Sequence, residues 1–493
     1  MHFHSRTFFF WISVILCLAT IGGIIFYSFG YRYQFGRGIF VYTGSISLKV
    51  NPASTIHFTL DNQSADAQVS AINNAYHLSG IRPGLHHITV SADGFQTWEK
   101  EVSVSSGVST DFWNITLVRN TYNQTTLASQ SSIQKFYPSP DQKFLAYSVQ
   151  NEAEASVYTV NTQTGETQRV FSRLQSFFKS DNLENIEWSP ESNAITLPLY
   201  TADTTRDYFI VSLSDESFPA TRLIDITDAA SAKDLRWDPQ APNTLLFLNN
   251  FTLIALSLDD SNTISLAKNV LGYDISGNTL YTFESPSFLI WQAPLDTPDD
   301  RTQITTQSIQ NIQSDDNFSL IVYDINRAIL LDRTKQTLTL LNNNPDQSVF
   351  TTLSQSVTDA QFSNDGKKLL FWNNSDISVY FLRDWNTQPA RRKNQINEIA
   401  RFSQPIHFVQ WTKDYEHILL ATPSDVELIE IDTRSRISQK IPLGNPSDIR
   451  QITPVFSANK LFFLKSSGDS SNNTSISSIP FPESIYRFGI IQQ

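Results

Sequence analysis

Apolar and polar positions alternate along most of this chain, and the exception comes first. From Phe8 to Phe29 the run FFFWISVILCLATIGGIIFYSF holds 22 consecutive uncharged residues, roughly 33 Å as a helix and enough to cross a bilayer core. Trp11 at one end and Tyr27, Tyr31 and Tyr33 at the other suit interfacial aromatic belts. The run outlasts the apolar stretch of a cleavable signal peptide, and no small-x-small site precedes the polar sequence, so an uncleaved single-pass anchor is expected. Arg6 lies before it and Arg32 and Arg37 after it, a weak charge bias. A short leader, 1–7, ahead of a large polar region favours a cytoplasmic N-terminus with the bulk of the chain extracytoplasmic.

Beyond a juxtamembrane linker, 30–42, the period falls to two. Ile46, Leu48 and Val50 share one face, and Asn51-Pro52 ends the run. Ile56, Phe58 and Leu60 repeat the pattern before the turn-rich Asp61-Asn62-Gln63-Ser64. A second turn cluster, Gly80-Ile81-Arg82-Pro83-Gly84, leads into Leu85 to Val90, then Asp93-Gly94-Phe95, with Val102 to Val104 and Phe112 to Leu117 completing the set. Short strands at such spacing, without a helical period, predict a small antiparallel β-sandwich over 43–119.

These segments resemble the PEGA domain family. The strand, Pro-containing turn and second strand are matched by Ile46 to Pro52 and Ile56 to Asp61, the Pro-Gly hairpin by Leu78 to Val90, and the Gly-aromatic turn by Asp93-Gly94-Phe95. Pro52-Ala53-Ser54-Thr55 stands where the eponymous tetrapeptide would be. The resemblance implies a non-catalytic, extracytoplasmic module used in adhesion or scaffolding.

From about residue 120 a longer pattern recurs: an aromatic or bulky residue, a Ser/Asp/Pro-rich turn, then an apolar strand. Tyr137, Trp188, Trp237, Phe362, Trp411 and Phe456 anchor strong copies, and Tyr273 and Ile312 weaker ones, at intervals of 36 to 51 residues. Such a period means a repeat architecture, and several strands per unit fit the blades of a β-propeller over 120–493. Eight anchors favour eight blades. Seven stays open, because ring closure could borrow a strand from 122–128. Tyr137-Pro138-Ser139-Pro140-Asp141 and its counterparts resemble the repeat of TolB-like and WD40-like propellers, which implies the fold and says little about function. The fold class is therefore all-β, with one transmembrane helix, a PEGA-like sandwich and a propeller.

Composition adds location and exclusion. The chain has 493 residues, 48 acidic and 36 basic, for a net charge of -12. Residues 1–119 are near neutral, so the acidity belongs to the propeller, which argues against nucleic acid as a partner and serves solubility. The one cysteine, Cys17, lies in the apolar run, so no disulfide framework or Cys-rich metal site is available.

Chemistry is thin. His57, His77, His86 and His87 tempt a metal reading, but adjacent His86 and His87 point to opposite strand faces and suit solvent-facing or capping roles better. His407 and His417, ten residues apart on what read as different strands, are poor material for a triad or zinc site. Asp259-Asp260, Asp299-Asp300 and Asp315-Asp316 lack the spacing of a calcium loop. No Gly-x-Ser-x-Gly elbow and no phosphate-binding glycine loop occurs. No catalytic, cofactor or metal residue is assigned. The expectation is a non-enzymatic binding or scaffolding protein of the cell envelope, with an envelope protein or surface glycan as partner. The alternatives are a propeller glycosidase or lyase with carboxylates gathered in its funnel, and a sensor or assembly subunit acting through a membrane partner.

Overall fold

A computed structural model describes residues 5–28, 31–34, 39–51, 55–70, 73–179, 185–201, 205–310, 312–314, 316–342, 350–466 and 473–481. The apolar run forms the helix Ser5–Ser28. Its span Phe8–Ser28 has a mean hydropathy of 2.4, and none of its most apolar stretch is buried against the rest of the chain. Phe29 lies outside the described residues. A two-stranded hairpin, Tyr31–Gln34 with Ile39–Tyr42, follows directly.

Next come two four-stranded sheets that close on one core containing Ile46, Leu48, Phe58, Ile88, Trp98 and Phe112. One holds Gly44–Asn51, Tyr76–Ile81, Gln68–Val69 and Ser109–Thr116; the other holds Gln63–Ala65, His57–Leu60, Gly84–Ser91 and Trp98–Val104. The expected sandwich is there, with two corrections. Gln63 and Ser64 belong to a strand, because the reversal is completed by Asp61 and Asn62, both in the left-handed region at φ 51° and 63°. The sandwich is also not wholly antiparallel: Ser109–Thr116 runs parallel to Gly44–Asn51, since the last strand enters beside the first from the same end. Pro52–Ser54 lies outside the described residues.

The remaining strands form eight successive sheets around a ring, which is a β-propeller. Blades 1 to 7 take strands from 133–174, 176–222, 233–267, 270–303, 318–354, 359–401 and 408–440. Blade 8 combines Ile449–Val455, Lys460–Ser466 and Asn473–Pro480 with Thr125–Ser131 from the start of the repeat region. The ring thus closes by a strand borrowed from the N-terminal side, and the blade count is eight among the described residues.

The repeat aromatics work between blades. Trp188 Nε1 donates to Tyr137 O at 2.9 Å, Trp237 Nε1 to Glu187 O at 3.4 Å and Trp411 Nε1 to Gln361 O at 3.1 Å. Each indole packs into the preceding blade and bonds the first strand there, so the first strands face inward and hold one another in sequence. Of the two weak anchors, Tyr273 lies in the first strand of blade 4, Val270–Ser276, as the repeat expects, and Ile312 lies outside a strand. In blade 5 the first strand is Phe318–Asp324, and Ile312 precedes it. In blade 4 the hydroxyl of Tyr273 reaches back to Asp234 O and Leu246 O. Both blades turn through two residues, Gly277-Asn278 and Ile325-Asn326, so the Ser/Asp/Pro-rich signature that marks the other strand ends is missing. Elsewhere that signature has a clear cause: Ser139 Oγ donates to Asp141 Oδ1 at 2.7 Å and accepts from Phe144 N at 3.0 Å, and Ser363 does the same with Asp365 (2.6 Å) and Lys368 N (3.0 Å).

Trp411→Phe keeps the ring in the blade 6–7 core but removes the inter-blade donor, leaving Gln361 O short of a partner. It should lower stability by about 1–2 kcal/mol, read from chemical denaturation; an unchanged midpoint would show that the indole bond contributes nothing.

Candidate functional site

Two places bring together titratable side chains from distant parts of the sequence. The first is a cleft of about 70 Å³ where the sandwich meets blades 6 and 7, lined by Trp98, Phe112, Trp385, Gln388, His417 and Arg434 among others. Strand Trp98–Val104 alternates strictly, so Trp98, Lys100, Val102 and Val104 all point inward. Lys100 therefore enters the interface as a buried cation. Its Nζ lies 2.6 Å from Glu430 Oε2 and 3.5 Å from Asp432 Oδ2, on the facing hairpin of blade 7. Trp98 Nε1 donates to the other Glu430 oxygen at 2.5 Å. Arg434 pairs with Asp432 at 2.8 Å, donates to Asp111 O at 3.0 Å and stacks 4.3 Å from the Phe112 ring. Arg434 and Lys100 hold the Asp432 carboxyl below its ordinary pKa even though burial works the other way.

Side-chain amides complete the joint. Gln388 of blade 6 donates to Ser109 O at 2.8 Å and accepts from Asp111 N at 3.0 Å, pairing with the sheet's open edge as another strand would. Gln439 accepts from Val118 N at 3.1 Å, and Gln96 donates to Lys440 O at 2.5 Å.

Behind this layer, the fully buried Lys368 donates to Glu416 Oε1 and to Tyr415 O, both at 2.5 Å. His417 is 3 % exposed and bonds Asp414 Oδ2 through Nδ1 at 2.7 Å; its Nε2 is buried without a hydrogen-bond partner among the described residues. Burial opposes a charged imidazole, but the charge and hydrogen bond of Asp414, with Glu430 and Glu416 beyond, raise the His417 pKa. Against burial, the same pairing, the Thr412 hydroxyl and Glu416 N hold Asp414 well below the usual carboxylate range. Sequence reading treats Thr412 to Asp414 as a turn only; the turn also clamps a histidine five residues from its start.

The second cluster lies on the first strands of blades 2 to 5. Arg236 bonds Asp234 at 3.1 Å and Asp274 at 2.8 Å, and Asp274 Oδ2 accepts from Val322 N at 2.6 Å, a brace running from blade 3 through blade 4 to blade 5. Nearby Glu187 has its pKa pushed up to about 7, chiefly by burial, with Arg236 pulling the other way. Acids distant in sequence do converge here, as a funnel site would require, yet Asp234 and Asp274 are both taken up by this chain's own arginine.

The remaining sequence candidates are local. His86 bonds Asp61 Oδ2 and Arg82 O, each at 2.7 Å, His87 lies 3.8 Å from Glu99, and His77 bonds the Ser47 hydroxyl at 2.8 Å. His86 thus bridges Asp61 and a backbone carbonyl, while the His87 imidazole is partly exposed beside Glu99. Asp259 and Asp260 bond Asn243 and Asn262, Asp316 bonds Lys335, and Asp315 lies outside the described residues. No group of three metal-ligating side chains converges among the described residues.

Among solved structures, the chain is similar to a eukaryotic initiation factor at 9 % identity, over 74 % of this chain and 90 % of that one, with a TM-score of 0.46. It is similar to Sqt1 of Saccharomyces cerevisiae at 9 % identity, over 73 % and 98 %, with a TM-score of 0.45. For Hsv2p of Kluyveromyces lactis the identity is 11 %, the shares 63 % and 97 %, and the TM-score 0.39. No protein-family profile matches the chain, and no curated protein matches it. The propeller stands on its own sheet order.

Lys100→Met leaves Glu430 and Asp432 buried without their shared cation and should destabilise the protein by about 3 kcal/mol, measured by urea denaturation; a loss below ~0.5 kcal/mol would mean that the cluster is solvated. Glu187→Gln tests the second cluster. A carboxyl with its folded pKa raised from 4.5 to about 7 costs stability as pH climbs through that window. The variant should match the parent near pH 4 and exceed it by roughly 3 kcal/mol at pH 8; parallel pH profiles would rule this out.

Proposed function

We propose that this chain is a non-enzymatic, single-pass membrane protein that holds a β-propeller at a fixed station beside the membrane, where the propeller and sandwich bind an envelope protein or a surface glycan. In this reading 1–7 is a cytoplasmic leader, 8–29 the span, 30–42 a linker, 43–119 a PEGA-like sandwich and 120–493 the propeller, with all but the leader and span extracytoplasmic. One observation carries the proposal: the sandwich is joined to the propeller by a buried ion cluster, Lys100 with Glu430 and Asp432. Two units that needed only a covalent tether would have no cause to bury charge between them. A rigid joint makes the sandwich a spacer that sets the height and tilt of the ring above its anchor, which suits scaffolding.

The binding reading is also supported by where the acids are spent. Glu430, Asp432, Asp234 and Asp274 each hold a cation of this chain, so their charge is committed to architecture. The full chain, purified in detergent, should show saturable binding to one glycan class on an array or to one envelope protein by cross-linking, with the bound polymer recovered intact. Shortening of a bound polysaccharide would establish the glycosidase or lyase alternative instead.

A further inference from the structure

We propose that the end of the sandwich nearest the N-terminal helix rests in the lipid–water interface, giving the protein a second, non-spanning contact with the bilayer that holds the helix. The inference depends on the anchor reading above and adds a surface to it: the turn at 82–83 with the strand start Gly84-Leu85, and the turn 105–108.

Contacts trace a short path from the helix to those turns. The Phe26 ring lies 5.4 Å from Tyr31, and Tyr31 lies 4.6 Å from Tyr42, its partner in the hairpin register. Only Thr43 separates Tyr42 from the first sandwich strand, a reach of at most about 7 Å. Gly107 N donates to Thr43 O at 3.0 Å, and Ser45 N to Val108 O at 3.3 Å, so turn 105–108 is clamped to the connecting residue. Gly44 permits that approach, since a Cβ there would lie 2.3 Å from Ser105 O. The second turn is alongside, because Gly84 pairs with Val104 and Ile81 with Gly44.

This end exposes two large apolar side chains. Leu85 is 67 % and Val108 52 % exposed, and neither turn carries an acidic residue. Arg82, the only charge in 79–85 and 105–108, is exposed and suits lipid phosphate. The nearest acids lie farther along the strands: Asp61 is engaged by His86 at 2.7 Å and by His87 N at 3.0 Å, Asp111 Oδ1 accepts from Ser109 Oγ at 2.7 Å, and Glu101 is exposed opposite His87. Two exposed apolar tips flanked by small residues and one arginine, held next to the end of an apolar helix, match what an interface accommodates. Val69 supplies an internal comparison: it is 53 % exposed but sits on an edge strand opposite Tyr76, toward the far side of the sheet.

The test uses the full chain with Cys17→Ser and single cysteines in place of Leu85, Val108 or Val69, each carrying an environment-sensitive fluorophore. The parent chain labelled at Cys17 serves as the fourth sample. All are reconstituted in vesicles of three parts phosphatidylcholine to one part phosphatidylglycerol, with doxyl quenchers either near the headgroup or deep in the acyl chain. The labels at 85 and 108 should shift to the blue and lose emission to the shallow quencher, while the label at 69 does neither. If 85 and 108 behave like 69 while Cys17 is quenched by the deep probe, the second contact is refuted and the anchor stands. If Cys17 is not quenched, the anchor reading fails and this inference with it.

Discussion

Lys100 is a cation with no exposed side-chain surface, set between two β units and answered by Glu430 and Asp432. Removing three charges from water is expensive, and only close geometry and further hydrogen bonds offset that cost. The acids receive both: the Trp98 indole takes the second Glu430 oxygen, and Arg434 takes Asp432 while covering Phe112. Lys100 Nζ, by contrast, makes no hydrogen bond among the described residues and is held by the two carboxylates and the Trp98 and Phe112 rings 5.6 and 5.4 Å away. Such a cluster tolerates little displacement, because sliding either unit would strand a buried charge. Its contribution is therefore geometric more than energetic, specifying one orientation of sandwich against ring.

The propeller can accept this load because its blades are linked in series. Indoles bond the carbonyls of the preceding blade, Arg236 and Asp274 span blades 3 to 5, and Thr125–Ser131 closes blade 8 from the N-terminal side. The closing strand begins a few residues after the sandwich ends, and Val118 in that connection is fully buried in the core shared with blades 7 and 8. The sandwich is thus held at the chain connection, at the ion cluster and at the Gln388 pairing with Ser109 and Asp111, three points that together fix its orientation.

Much of this architecture was legible in the amino-acid pattern because it rests on periodicity. Alternation located most sandwich strands, and eight repeat anchors, six strong and two weak, matched eight blades. The trace is faintest at blades 4 and 5, where two-residue turns replace the Ser-x-Asp element and only Tyr273 and Ile312 mark the repeat. The joint itself is not read from the pattern, although its signal is present: in Trp98-Glu99-Lys100-Glu101-Val102, lysine falls on the inward parity, and Glu430 shares the inward parity of Val426 and Leu428 on the strand Val426–Glu430. A charge at an inward position indicates a buried partner, but parity cannot name a partner 330 residues away. The parallel pairing of first and last sandwich strands was hidden for the same reason, being a long-range choice that local pattern does not encode.

The claim that sandwich and propeller form one oriented body is tested most directly by a distance distribution between them. Spin labels at Val69 on the sandwich and Ile264 on blade 3, both exposed, in the full chain with Cys17→Ser, should give a single narrow distance by pulsed electron paramagnetic resonance, and the distribution should broaden when Lys100→Met is added. A broad distribution in the protein with Lys100 intact would show two units swinging on a linker and would contradict the account.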